Sequence, residues 1–98
     1  MTVVSVLRLP VREDAGDELA SSFAELEIFE RSRESRGFLG GRLLRPLTGR
    51  GPFLVVAEWE SAEAYQGWLD NPLRAALAAR LEPLLTGDVV AGELFEPA

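Results

Sequence analysis

The sequence predicts an α+β domain: four strands and two helices in the order β-α-β-β-α-β, the strands in one antiparallel sheet and both helices on one of its faces. Three observations lead there. Four short runs rich in β-branched and other apolar residues are separated by Pro and Gly. Two of the intervening stretches carry apolar residues at helical spacing instead. The length, 98 residues, holds one domain with one core, spanning 1–98.

Residues 2–9 are rich in valine and stop at Pro10, which reads as strand one. Residues 14–16 open the first helix, with Asp17 and Glu18 suited to its first turn. Leu19, Phe23, Leu26 and Phe29 continue at helical spacing; the helix is expected to run to about Ser35, with Gly37 as its C-terminal glycine. Residues 38–45 form strand two, where Gly40 and Gly41 predict a bulge or the close approach of another group. Residues 46–52, with Gly49 and Gly51, are a hairpin connection. Strand three, Phe53–Trp59, is an apolar run entering a Trp-Glu-Ser corner. Ser61 caps the next helix and Glu63 suits its first turn, although Ala64 stands where a full capping box needs Glu or Gln. That helix ends near Asp70. Asn71 caps its continuation, with Pro72 as the first residue and Leu73, Leu77 and Leu81 as the apolar stripe. Pro83 limits it, Gly87 marks a turn, and residues 88–95 form strand four. This order is the ferredoxin-like arrangement.

A net charge of -6 and a pI near 4.6 set the chain against phosphate backbones, so nucleic acid is excluded as a partner. Without cysteine there is no disulfide framework, zinc finger or thiol chemistry. No apolar run nears the ~18 residues of a membrane span. The N-terminus lacks a basic segment followed by an apolar one, so a cytoplasmic protein with no membrane partner is expected. Every basic residue is arginine. With abundant Ala, Leu and Gly, that reads as the composition of a GC-rich bacterial genome.

Two helices cover one face of a four-stranded sheet, and a face left to water should be polar at every second position. Strand three puts Phe53, Val55, Ala57 and Trp59 on one face and Leu54, Val56 and Glu58 on the other. Strand one puts Val3, Leu7 and Leu9 on one face and Val4 and Val6 on the other. Both faces call for cover, since each large side chain left in water forfeits ~1.5–3 kcal/mol. A second copy laid sheet against sheet about a two-fold axis supplies it, so a homodimer is expected.

The run Gly37-Phe38-Leu39-Gly40, the run Arg42-Leu43-Leu44-Arg45-Pro46, the strand from Phe53 to Ser61 and the helix Glu63-Ala64-Tyr65-Gln66-Gly67-Trp68 together resemble the antibiotic biosynthesis monooxygenase family. The likeness covers about residues 3–87. It implies a dimeric α+β barrel with one ligand cavity per subunit, between helices and sheet. Members of the family include cofactor-independent oxygenases of polyketide-like aromatic compounds, haem-degrading enzymes and many proteins of unknown activity. The haem-degrading branch is nearest in appearance. It uses an Asn on strand one, a Trp on the helix after strand three and a His further along that ligates the iron. Trp68 matches the Trp; Leu77 falls at the His position and Leu7 at or next to the Asn position. Haem iron needs an axial donor. The chain has no His, and the remaining donors, Tyr65 and Met1, stand elsewhere. No bound cofactor is therefore expected.

Eight residues are candidates for the site. In the cavity the resemblance implies, the Trp68 indole donates to a quinone or phenol oxygen; otherwise it is an amphipathic ring at the helix–sheet boundary. Tyr65, three residues earlier and on nearly the same helix face, passes a proton or fixes a substrate oxygen, or leaves its hydroxyl in water. Arg74 stabilises an oxyanion formed on deprotonation, or is a solvated charge. Trp59 lines the ligand, or packs in the core or a dimer interface. Asn71 donates to the ligand, or serves only as a cap. Arg42 alternates with Phe38 and Gly40; facing inward it is a buried cation at the ligand, facing outward it decorates an edge. Leu77 and Leu7 enter as ligand-binding positions through the resemblance.

Other chemistries lack their residues. There is no G-x-S-x-G and no histidine base for a serine triad. The glycines at 37, 40 and 41 come without Lys and open a strand, so they form no phosphate loop. Scattered acids without His argue against a transition-metal site. Two functional readings follow. One is a cofactor-independent monooxygenase that holds a small phenol or quinol in a dry pocket with oriented donors. The other is a non-catalytic dimeric barrel that binds a small apolar or aromatic molecule. The missing His weighs against the first, because it removes the usual base near neutral pH.

Overall fold

The computed structural model describes residues 2–98. Its spine is β3 (Phe53–Trp59), whose alternating residues let it be flanked on both edges. On one edge it pairs antiparallel with β1 (Val3–Leu9), from Val3 opposite Trp59 to Leu9 opposite Phe53. On the other it pairs antiparallel with β2 (Phe38–Leu44). A short β4 (Glu93–Phe95) lies along the free edge of β1, giving the order β2-β3-β1-β4. That is the ferredoxin-like order, and the α+β reading holds.

Four helices cover the face that presents Leu9, Phe53, Ala57 and Trp59. They are α1 (Gly16–Glu25), α2 (Ile28–Ser32), α3 (Ala62–Leu69) and α4 (Pro72–Leu81), the last running into a 3-10 turn at Glu82–Leu84. The caps are those the sequence indicates. Ser61 Oγ accepts from the Ala64 N–H at 3.1 Å, and Asn71 Oδ1 accepts from the Leu73 N–H at 2.9 Å behind Pro72. No helix among the described residues is long and apolar enough to cross a membrane.

The structure departs from the sequence-based expectation in four places. The first helix is two. Glu27 adopts φ 51° and ψ 46°, a left-handed turn between α1 and α2. On one straight helix Ile28 would stand ~140° around from Phe23. The turn brings both into the core and sets Phe29 against Phe23, with ring centroids 5.1 Å apart. Gly37 is not the cap of that helix, since α2 ends five residues earlier at Ser32. Its φ of 87° instead turns the chain into β2, and a Cβ there would lie 2.5 Å from the Ala64 Cβ of α3.

Strand two bulges between Phe38 and Gly40, as the glycines suggested. The bulge also reverses the alternation. Phe38 pairs with Trp59 on the helix-covered face, whereas Arg42 pairs with Val56 on the open one. Strand four is shorter than 88–95. The Gly92 N–H is taken by the Tyr65 hydroxyl at 2.7 Å and the Val90 carbonyl by Arg74 Nη2 at 2.9 Å. These side chains hold the segment before β4 against the helices. Its backbone groups are then not free to extend the ladder on β1.

Among the described residues, no helix covers the far face of the sheet. Val4, Val6, Leu54 and Val56 are half-buried there, and Leu44 and Phe95 are 38% and 51% exposed.

Candidate functional site

A cavity of about 80 Å³ lies between the helices and the covered face of the sheet. Its floor is made by alternate residues of two paired strands: Ser5, Leu7 and Leu9 from β1, and Val55, Ala57 and Trp59 from β3. The period of two in a strand is what puts these six on one face. From the helices come Phe23, Ile28, Phe29 and Ser32 on one side, and Tyr65, Trp68, Arg74, Leu77, Ala78 and Leu81 on the other. Phe38 and Val89 complete the lining. The volume is several times that needed for one water molecule, and most of the wall is apolar.

One side of this cavity is a run of touching rings. Phe38 meets Trp59 edge-on at 5.1 Å, Tyr65 tilts against Trp59 at 5.4 Å, and Trp68 stacks on Trp59 at 6.4 Å between centroids. Trp59 is the hub and is only 2% exposed. Its indole N–H would be costly to bury unpaired, and it donates to Ser5 Oγ at 3.0 Å.

The polar groups on the wall are few. Arg74 is the one charged side chain among the lining residues, and its guanidinium is anchored on the Val90 carbonyl. The Tyr65 hydroxyl accepts from Gly92, so it sits inside the protein and not in water. Ser32 donates to the Ile28 carbonyl at 2.7 Å. No carboxylate lines the cavity among the described residues. The arrangement presents apolar ring faces and one cation able to offset a negative charge.

Of the residues picked from the sequence, Trp68, Tyr65, Arg74, Trp59, Leu77 and Leu7 all meet at this cavity. Two do not. Arg42 is exposed on the opposite face, because the bulge reversed its alternation with Phe38. Asn71 is spent as the cap of α4 and borders a separate surface hollow with Glu34, Glu60 and Glu63. Neither reaches the cavity.

Sequence reasoning passed over Ser5, Ser32, Phe23, Phe29, Phe38 and Val89 as lining residues. A signal existed for Ser5: it is the one hydroxyl on the inward face of an otherwise apolar strand. None existed for Phe29 or Ser32, whose directions follow from the turn at Glu27. A wider hollow elsewhere is open to water, and two ion pairs border it, Arg45 with Asp17 at 3.0 Å and Arg50 with Glu13 at 3.8 Å.

Comparison with known proteins adds four findings. A family model described as antibiotic biosynthesis monooxygenase matches residues 2–80. A haem oxygenase (mycobilin-producing) of Mycobacterium tuberculosis is 42% identical over 88 residues, covering 89% of this chain and 82% of its own. Among solved structures, a haem-degrading protein from M. tuberculosis with two haems bound in its active site superposes with a TM-score of 0.66 at 35% identity, over 95% of this chain and 90% of its own. A cofactor-independent oxygenase from Streptomyces nogalater superposes with a TM-score of 0.76 at 26% identity, over 99% and 93%.

Proposed function

The chain belongs to the antibiotic biosynthesis monooxygenase family, and we propose that it is an oxygenase without a bound cofactor, acting on a compact aromatic phenol or quinol of polyketide type. The observation that carries this reading is the cavity itself: apolar, walled on one side by stacked rings, with Arg74 the one cation among the described lining residues. A substrate ring lies against Trp59 and Trp68. Its oxygen, once ionised, lies toward Arg74 and the indole N–H of Trp68. The electron-rich anion passes an electron to dioxygen. Where the phenol is the enol form of an anthrone-type ring ketone, a carbon–oxygen bond then forms at the ring carbon that is CH₂ in the ketone, and loss of water leaves C=O there. One oxygen atom of O₂ stays in the product and the other departs as water, so no outside reductant is needed. Tyr65, held by Gly92, keeps its own proton available to the substrate oxygen.

The residues do not fit haem, although relatives carry it in their names. Leu77, at the position where the resemblance expects the iron's histidine, puts a buried alkyl group on the cavity wall. The chain has neither His nor Cys, and its one Met, Met1, lies outside the described residues. The Tyr65 oxygen already accepts a hydrogen bond from Gly92. Tyr65 is thus the one residue of an axial-donor type on the wall among the described residues, and its oxygen is already engaged.

The open sheet face supports a homodimer. It carries an apolar band of Val4, Val6, Leu54, Val56 and Phe95, flanked by Arg8 and Arg42 of one sign and Glu58 and Glu93 of the other. An apolar centre with charges of both signs at its rim is the pattern a two-fold interface between copies uses.

A second reading, a barrel that binds an aromatic molecule without turning it over, is favoured by one observation. Among the described residues neither a carboxylate nor a His lines the cavity to act as base, and the chain has no His. Oxygen uptake with a panel of anthrone- and quinol-type compounds separates the two. Uptake above background that saturates with compound supports the oxygenase. Tight binding with no uptake replaces it with the binding module.

A further inference from the structure

We infer that Ser5 is a ligand-recognition residue, whose hydroxyl donates a hydrogen bond to a carbonyl or phenolic oxygen of the bound ring. This rests on the cavity being a ligand site, as proposed above, and assigns the chemistry its floor selects.

Ser5 lies mid-strand in β1, opposite Ala57 of β3 and Leu94 of β4. The residue is 4% exposed and lines the cavity with Leu7, Val55 and Ala57. A hydroxyl so placed in an apolar wall is unfavourable unless it is used. Its oxygen accepts from Trp59 Nε1 at 3.0 Å, which satisfies the indole. A hydroxyl has one proton to donate besides its lone pairs, and within the described residues the Ser5 proton has no acceptor. Ser32, the other serine on the wall, differs here: its proton is spent on the Ile28 carbonyl at 2.7 Å. Ser5 therefore presents an unspent donor to the cavity. The bond from Trp59 into its oxygen polarises the O–H and makes it the stronger donor.

The placement also sets the ligand's shape. Ser5 is on the sheet wall and Arg74 on the helix wall. A ligand using both carries an acceptor oxygen on one edge of a flat ring system and an ionisable oxygen on another. Hydroxylated aromatic ketones and hydroxyquinones have that pattern, and plain aromatic hydrocarbons do not.

The test compares two bicyclic probes that differ only at one position, 1-tetralone (C=O) and tetralin (CH₂), by equilibrium dialysis against the native protein. Both are inert to oxygen on that timescale, so binding alone is read. Ser5→Ala is expected to weaken 1-tetralone about tenfold and tetralin less than about twofold, the loss of one buried hydrogen bond. An equal loss for both probes overturns the inference, because Ser5 then only seats Trp59. So does no loss for either. Should Ser5→Ala fail to fold, Ser5→Cys keeps the size with a weak donor and must show the same selective loss; retention of full 1-tetralone affinity in that variant is equally fatal. If neither probe binds the native protein, this inference and the cavity reading fall together. Binding that is intact with no oxygen uptake ends only the oxygenase reading.

Discussion

Gly37→Ala tests how α3, and with it Tyr65 and Trp68, is held against the sheet. The added Cβ would stand 2.5 Å from the Ala64 Cβ, far inside the 3.4–4 Å of ordinary contact. Both carbons are fixed to backbone, so neither can rotate away and strand or helix must shift. The position also has φ 87°, which an L side chain tolerates poorly. Its carbonyl accepts from the Glu60 N–H at 2.8 Å, which ties the start of β2 to the end of β3. The backbone conformation costs ~1–2 kcal/mol and the overlap ~1–3, against ~0.4–1 regained from a stiffer unfolded chain. The net is a destabilisation of about 3 kcal/mol. Urea unfolding should show it as a lowered midpoint with an unchanged m value. Ala64→Gly alone costs ~1 kcal/mol of helix propensity, but in the Gly37→Ala background it should return the steric share, a coupling of about 2 kcal/mol. Near-ultraviolet circular dichroism of the Trp59–Tyr65–Trp68 cluster should weaken in Gly37→Ala and recover in the double variant. A loss under about 0.5 kcal/mol, or strict additivity in the cycle, would show that this contact does not set the helix position.

Glu27→Gly should raise stability by about 0.5–1 kcal/mol, because glycine adopts the left-handed turn freely while loosening the unfolded chain; a melting temperature that falls would count against strain at this turn. Tyr65→Phe removes the acceptor for the Gly92 amide, so hydrogen exchange should quicken at Gly92 at a stability cost of about 0.5–1.5 kcal/mol; unchanged exchange there would refute the tie between α3 and the segment before β4. Leu77→His sets an imidazole on the cavity wall, and a haem titration should then give a saturable Soret band of a ligated iron that the native chain does not give. The same band in the native chain would sink the donor-set argument.

Much of the fold could be read from residue order because the signals were local. Proline and glycine bounded the strands, Ser61 and Asn71 sat where helices need side-chain acceptors, and strand three alternated as a strand with one buried face must. The errors have local explanations too. A left-handed glutamate leaves no mark in a helical pattern, so α1 and α2 read as one helix. A bulge in a glycine-weakened strand was foreseen, but a single inserted residue inverts every later side chain, and Arg42 moved from candidate to outer face. Strand four was overextended because Tyr65 and Arg74 reach backbone groups 27 and 16 residues away, which no window on the sequence displays.

The sequence by itself determined the order of the elements, where most of them begin, and which residue types were available: two Trp, one Tyr, no His and no Cys. That inventory already limits the chemistry, since a side chain that is absent cannot ligate or take a proton. Only the tertiary structure decided which residues share a space. Ser5 and Trp59 are 54 residues apart and joined by one hydrogen bond. Their meeting depends on the register between β1 and β3, and register is a property of paired strands, written in neither strand alone.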